Sequence, residues 1–312
     1  MALITFMSDF GLTDHYVAAV KAKILSVNPG LRIVDVTHQV EHFNIAHAAF
    51  VLKSVFREFP KGTVHLVGVD SVNVRDEEYL AVKLEEHYFL GMNNGLFSLI
   101  SDAEPAAVIR INLPANRKTT FPAKDVFAAA AARLASGASV YDLGVPTNNF
   151  KRLLPRQVKA NKKQMTGNVI RVDHYGNLIT NLDKELFYSL KATSNFHIAF
   201  ARERVYKISD TYNQVEPGDC FVIFNSDGFM EIGIHNGHAA DLLGLDFDSS
   251  VSVYFEPVAQ DYFAMQEEAQ PEDEIAMLNE DTVDSQEDEL RFEADQESMP
   301  GEWDLGKENR EY

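Results

Sequence analysis

From Leu3 to about residue 145 the chain alternates short apolar runs with stretches of helical spacing, and this alternation limits its possible folds more than any other feature. Leu3-Ile4-Thr5-Phe6 is a first strand, broken by Ser8-Asp9-Phe10-Gly11. Residues 16–27 carry Val17, Val20, Ile24 and Leu25 at helical spacing and end at Asn28-Pro29-Gly30, a helix-stopping combination. A strand over 32–36, a helix over 45–59 closed by Pro60-Lys61-Gly62, and a strand over 63–69 follow. Further strands are predicted at 79–84 and 107–111, and a helix over 125–134. This order, at these intervals, predicts an α/β domain over residues 1–148 in which helices cover a parallel sheet.

The pattern then changes. Residues 149–164 hold Lys151, Arg152, Arg156, Lys159, Lys162 and Lys163 with little apolar periodicity, which reads as a solvated linker. Over 165–256 short strands dominate, at 168–172, 195–200, 220–224, 229–234 and 251–255, and predict a small β-barrel or sandwich. Residues 257–312 contain 19 Asp and Glu against 3 Lys and Arg, whereas residues 1–256 contain 28 against 25. The acidity therefore belongs to a tail that reads as disordered, and the rest is nearly balanced. No broad cationic surface exists for nucleic acid. No apolar run approaches the roughly 20 residues of a membrane span. Cys220, the only cysteine, excludes an internal disulfide framework and a cysteine-based zinc site. The N-terminus reads as a strand, not a signal peptide, and a cytoplasmic protein is expected.

The acidic residues at strand ends carry the first chemical signal. Asp9 follows strand one, Asp35 lies in strand two and Asp70 follows strand three. The carboxyl ends of parallel strands open into the ligand crevice, where a carboxylate can accept both hydroxyls of a ribose. Capping of the next helix by Thr13-Asp14 is the plainer reading of that pair. Gly11 stands alone after strand one, so no phosphate-binding loop is present, which disfavours nucleotides bound by their phosphates and leaves an adenosyl ligand without phosphates compatible. His38-Gln39-Val40-Glu41-His42 has the spacing of a metal motif but directly follows a strand, not on a helix, so no metal site is expected. Asp173 to Asn177 and Asn225 to Gly228 are each compatible with a simple hairpin turn.

Taken together, these segments resemble one family. Phe6 to Asp14, Asp35 to His38, Val69-Asp70, Asn93-Asn94-Gly95, Thr120-Phe121, Val172 to Asn181 and Asn225 to Gly228 are similar to the S-adenosylmethionine hydroxide adenosyltransferases, relatives of the fluorinases and chlorinases. The resemblance covers roughly residues 3–256. It implies an N-terminal Rossmann-like domain with a parallel sheet, a C-terminal β-barrel domain, and a homotrimer with the ligand between the N-terminal domain of one subunit and the C-terminal domain of the next. By the same resemblance Asp9 holds the ribose hydroxyls, and Phe43 and Phe121 belong to the substrate-binding set. Asp14, Asp173 and Ser226 stand near the methionine end, and Asn177 contacts adenine.

The implied reaction is attack of water or hydroxide on the ribose C5′ of S-adenosylmethionine, giving adenosine and L-methionine without a metal or cofactor. The family activates water with an Asp, an Arg and a His. Asp70 matches the first; the ungapped arginine position holds Glu77, with Arg75 two residues earlier; the histidine position holds Pro122, followed by Ala123. Asp70 and Arg75 are therefore the expected catalytic residues. The alternative reading is a weak or inactive adenosyl-binding protein of the same fold. Halide transfer is disfavoured because Ala123 has no hydroxyl.

Overall fold

The computed structural model describes residues 3–71, 78–113 and 119–256, and two sheets organise them. The first sheet contains β1 (Ile4–Ser8), β2 (Ile33–Thr37), β3 (Val64–Gly68), β4 (Tyr79–Leu84), β5 (His87–Met92), β6 (Ala107–Ile111) and β7 (Gly144–Pro146), in the order β2-β1-β3-β5-β4-β6-β7. Strands β2, β1, β3 and β5 run parallel, whereas β4, β6 and β7 are antiparallel to their neighbours. The predicted parallel sheet is thus the parallel half of a mixed one. The reversal comes from a β4–β5 hairpin closed by Glu85 and Glu86, both at positive φ (48° and 64°).

Helices cover both faces. α1 (Tyr16–Val27) turns Val17, Val20 and Ile24 inward, and α3 (Ala128–Ala135) meets it with Ala128, Ala131 and Ala132, small enough for close approach. α2 (Ile45–Val55) covers the opposite face with Ala48, Ala49 and Leu52. The Asn44 side chain caps α2 by accepting from the His47 N–H at 2.9 Å. α1 begins at His15 without a side-chain cap, so Asp14 does not serve as the capping residue that its position suggests. Because α1 and α2 cross on opposite faces, the chain winds both ways from β1. The switch point lies between the carboxyl ends of β1 and β3, where open α/β sheets bind ligands.

The second sheet is antiparallel. It contains β8 (Lys159–Asn161), β9 (Gln164–Val172), β10 (Leu178–Asp183), β11 (Asn195–Phe200), β12 (Glu203–Val205), β13 (Cys220–Phe224), β14 (Phe229–Ile234) and β15 (Ser250–Glu256). The order is β12-β11-β15-β9-β10-β14-β13, with β8 paired to β9, so the basic stretch read as linker contributes a strand. End strands β12 and β13 approach each other and nearly close a barrel. Its core holds Met165, Leu178, Leu182, Phe187, Met230, Ile232 and Val253. α4 (Lys184–Lys191), capped by Asp183, seats Phe187 in that core, and α5 (Ala239–Leu243) follows β14. Arg171 of β9 bridges to Glu41 of the first domain at 2.7 Å, and the Ser54 hydroxyl donates to Asp227 at 2.8 Å.

Candidate functional site

The site is built on the switch point. β1 ends at the fully buried Ser8, whose hydroxyl lies 2.7 Å from His38 Nδ1, and this pairing ties the end of β1 to the loop after β2. Burial holds the His38 imidazole below its usual pKa, although Asp35, 3.1 Å from Nε2, works the other way. Asp9, the next residue, is buried. Its Oδ2 accepts the main-chain N–H of Phe43 at 3.1 Å and of Asp70 at 3.2 Å. Both donors adopt left-handed backbone, with φ of 61° at Phe43 and 47° at Asp70, an uncommon state for residues with a Cβ. Backbone strain at two residues that converge on one carboxylate marks a functional centre. Among the described residues Oδ1 of Asp9 accepts no hydrogen bond, so one oxygen is anchored and the other is available to a ligand.

Around this carboxylate the first domain supplies aromatic surface. Phe121 meets Phe10 at 5.6 Å and Tyr16 at 5.4 Å, both edge to face. Gly68, the last residue of β3, leaves room for Phe10, since a Cβ there would press on its ring. Asn94 fixes the neighbouring turn: its amide donates to the Val69 carbonyl at 3.1 Å and its oxygen accepts from Leu96 N–H at 3.1 Å. Phe43 is 59% exposed at the rim, and Asp14 is exposed. Pro122 opens the turn of π-helix at Ala123–Phe127, and Ala123 is fully buried. Arg75 and Glu77 lie outside the described residues.

The C-terminal residues form a second group. Asp173 Oδ1 accepts from the N–H groups of Tyr175 at 2.9 Å and Asn177 at 2.8 Å. Glu231, in β14, lies behind them, with one oxygen 3.0 Å from Asn177 Nδ2 and the other 3.1 Å from Asn225 Nδ2; the Tyr212 hydroxyl is near enough to favour its ionised form. Burial raises the Glu231 carboxyl, the charge of Asp173 adds to the rise, and these three groups oppose it. Asp173, Tyr175, Asn177, Tyr212 and Phe221 line a cleft of about 680 Å3 that His235 to His238 complete. Ser226 is exposed in the turn between β13 and β14.

The structure thus brings Asp9, Asp70 and Phe43 together, and separately Asp173 and Asn177. Each group is hydrogen-bonded within its own domain. Tyr212 and Glu231 belong to the second group although sequence reasoning did not single them out. Glu231 had left little signal, because in Phe229-Met230-Glu231-Ile232-Gly233-Ile234 it alternates with the core residues Met230, Ile232 and Ile234 and so reads as an outward acid.

Residues 4–144 match the SAM hydroxide adenosyltransferase N-terminal domain and residues 167–252 the corresponding C-terminal domain. A protein of Salinispora tropica named (R)-S-adenosyl-L-methionine hydrolase is 32% identical, over 78% of this chain and 94% of its own length. Proteins of the same name from Thermus thermophilus (32%, 78% of this chain and 96% of its own) and Methanocaldococcus jannaschii (28%, 81% and 96%) are also similar. A fluorinase of Actinopolyspora mzabensis is 24% identical over 74% of this chain and 89% of its own. Among solved structures, an uncharacterized conserved protein from Thermotoga maritima superposes with a TM-score of 0.75 at 29% identity, covering 81% of this chain and all of that one.

Proposed function

This chain belongs to the SAM hydroxide adenosyltransferase family, and from that premise we propose that it hydrolyses S-adenosylmethionine to adenosine and L-methionine. The observation that carries the reading is Asp9, a buried carboxylate at the β1/β3 switch point with one oxygen anchored by two main-chain N–H groups. An anchored carboxylate accepts a ribose hydroxyl without reorganising, and so places C5′ of the same sugar at a fixed distance from the strand ends. The similar proteins named (R)-S-adenosyl-L-methionine hydrolase support the choice of substrate.

In the reaction a water oxygen forms a bond to C5′ as the C5′–S bond breaks, the sulfonium sulfur keeps the bonding pair, and the water proton passes to solvent. Methionine leaves neutral at sulfur, so the step removes a charge and is favoured where water is scarce around the sulfonium. Asp70, whose N–H already supports Asp9, is assigned to orient the water, with Arg75 as its partner. Pro122 has no proton to give or take, so this chain works without the family's histidine.

Asp173, Asn177 and Ser226 bind the remainder of the ligand in this reading, with Asp14, Phe43 and Phe121 at the first group. Their separation into two internally bonded groups favours a homotrimer in which each ligand lies between one protomer's first domain and the next protomer's second. A chain with one cysteine suits the reducing cytoplasm, where we place it. The deciding experiment is incubation of the purified protein with S-adenosylmethionine and chromatographic assay of adenosine and methionine. Equimolar formation of both is expected; tight binding without either product overturns the hydrolase reading and leaves an adenosyl-binding protein.

A further inference from the structure

We propose that Glu231 is a positioning residue that locks the Asn177 amide with its carbonyl toward the C-terminal cleft, so that the cleft selects a purine carrying a 6-amino donor over one carrying a 6-oxo acceptor. The inference rests on the reading above only in taking an adenosyl group as ligand.

The amide orientation follows from its surroundings. Asn177 Nδ2 lies 3.0 Å from Glu231 Oε1 and 3.4 Å from Asp173 Oδ2, two carboxylate oxygens that only accept. Reversing the amide would set its oxygen against both, so the NH2 end is fixed toward Glu231. Oδ1 accepts no hydrogen bond among the described residues. It lies over Gly233, which has no side chain to cover it; a Cβ there would press on this oxygen and on the Phe221 ring. Asn177 is 8% exposed and lines the cleft, so its unpartnered carbonyl is the acceptor it offers there. The cleft walls include Phe221 and Tyr212, which meet edge to face at 5.4 Å. A flat heteroaromatic ring with a hydrogen-bond donor fits such a site, and the purine is the flat part of an adenosyl ligand.

Glu231 is held from its other side as well, and this makes the device testable. Asn225 Oδ1 accepts from the N–H groups of Asp227 and Phe229, each at 3.1 Å, so the turn fixes the Asn225 amide with its NH2 toward Glu231. In Glu231→Gln the oxygen of the new amide must therefore take the Asn225 N–H, and its NH2 then faces Asn177. Asn177 answers with its carbonyl, opposed then only by the more distant Asp173 Oδ2 at 3.4 Å, and turns its own NH2 to the cleft. A substitution that changes shape very little should convert an acceptor site into a donor site.

The experiment is calorimetric titration of the full-length protein with adenosine, inosine and purine riboside, which lacks any 6-substituent, with adenosine formation from S-adenosylmethionine assayed in parallel. Wild type should bind adenosine at least about tenfold more tightly than inosine, with purine riboside between them, because the mismatched ligand leaves the buried carbonyl unpaired. Glu231→Gln should abolish or invert that ratio. Asn177→Ala, which leaves Glu231 in place, should lower adenosine affinity and leave that of inosine nearly unchanged, so the test survives if Glu231→Gln misfolds. Equal binding of the nucleosides by wild type, no binding of any, or an unchanged ratio in a folded Glu231→Gln overturns the proposal, whatever the hydrolysis assay gives. A Glu231-dependent preference in a protein that forms no adenosine supports it while removing the hydrolase reading.

Discussion

Asp9 and Glu231 are both buried carboxylates, one in each domain, and the two domains hold them in opposite ways. Asp9 is held by main-chain N–H groups, which Phe43 and Asp70 present from left-handed backbone. Glu231 is held by side chains, the amides of Asn177 and Asn225. A main-chain donor survives any substitution except proline, whereas a side-chain donor is lost with its residue. The first arrangement resists mutation at its donors and exposes only the carboxylate itself. The second can be rewired one residue at a time, and is therefore where specificity can change without disturbing the reacting centre.

The largest expected effect tests the first half of this contrast. Asp70→Asn keeps its N–H, and asparagine tolerates left-handed backbone, so the support of Asp9 should persist while the water-orienting carboxylate is gone. Steady-state assays should show kcat for adenosine formation lower by about 10²- to 10⁴-fold, with S-adenosylmethionine affinity within threefold of wild type, roughly the scale of one lost acid–base group. A large fall in affinity would mean that the Asp70 side chain, not its backbone, supports the site. Asp9→Ala is the complementary change. It removes the acceptor to which both N–H groups point, and kcat/KM should fall by about 10- to 100-fold, as for loss of one charged hydrogen bond.

Acid sharpens the comparison, because it acts with opposite sign on the two domains. In the first sheet His65 is buried, with Nδ1 2.7 Å from Thr5 Oγ1 and Nε2 3.1 Å from His87 Nδ1. Burial, then the neighbouring His87, push its pKa down to about 3. The unfolded chain binds a proton near pH 6.5 that the folded chain refuses, so stability is lost as pH falls from about 6.5 toward 3, on the order of 2 kcal/mol by pH 5. Glu231 is raised, so its unfavourable contribution grows as pH rises and is relieved by acid. Hydrogen exchange at pH 7 and pH 5, corrected for intrinsic rates, should show protection falling in β1, β3 and β5 and holding in β10 and β14. Equal loss in both sheets would sink the contrast. The smallest effect is that of Tyr212→Phe, which removes a hydroxyl that favours the ionised form of Glu231. It should lower stability in urea by about 1 kcal/mol or less and leave Asp9-dependent turnover intact.

Much of this organisation was legible in the sequence because strands and helices in the first domain obey their periods without interruption. One strand escaped. His87–Met92 follows β4 after only Glu85-Glu86, and hairpins of that length are ordinarily signalled by Asn-Gly or Asp-Gly. Two glutamates forced to positive φ carry no such signature, so the sequence reading ended its strand at residue 84, assigned none to 87–92, and left the mixed character of the sheet hidden. At the site, Asp9 and Asp70 were visible as acids at strand ends. That their meeting depends on the backbone of Phe43 was not, since phenylalanine has no preference for left-handed conformation. Glu231 was masked differently. A short-strand pattern identifies β14, but that its one acid meets the amide of Asn177 depends on a residue remote in sequence until the barrel forms.

The order of strands in the second sheet sets a timetable for synthesis. β15, the last strand, lies between β11 and β9 and hydrogen-bonds to both, so until it emerges β11 and β12 have no attachment to the rest of the sheet. The first sheet, by contrast, is complete once β7 has been made at Pro146. At ordinary translation rates the interval from Pro146 to Glu256 lasts about 5–20 s, during which a finished α/β domain waits beside an open-edged half barrel. In the nascent chain, the Asp9 centre is therefore assembled on the ribosome well before the Asn177 cleft, and a chain stalled before Ser250 should resist protease in its first half alone.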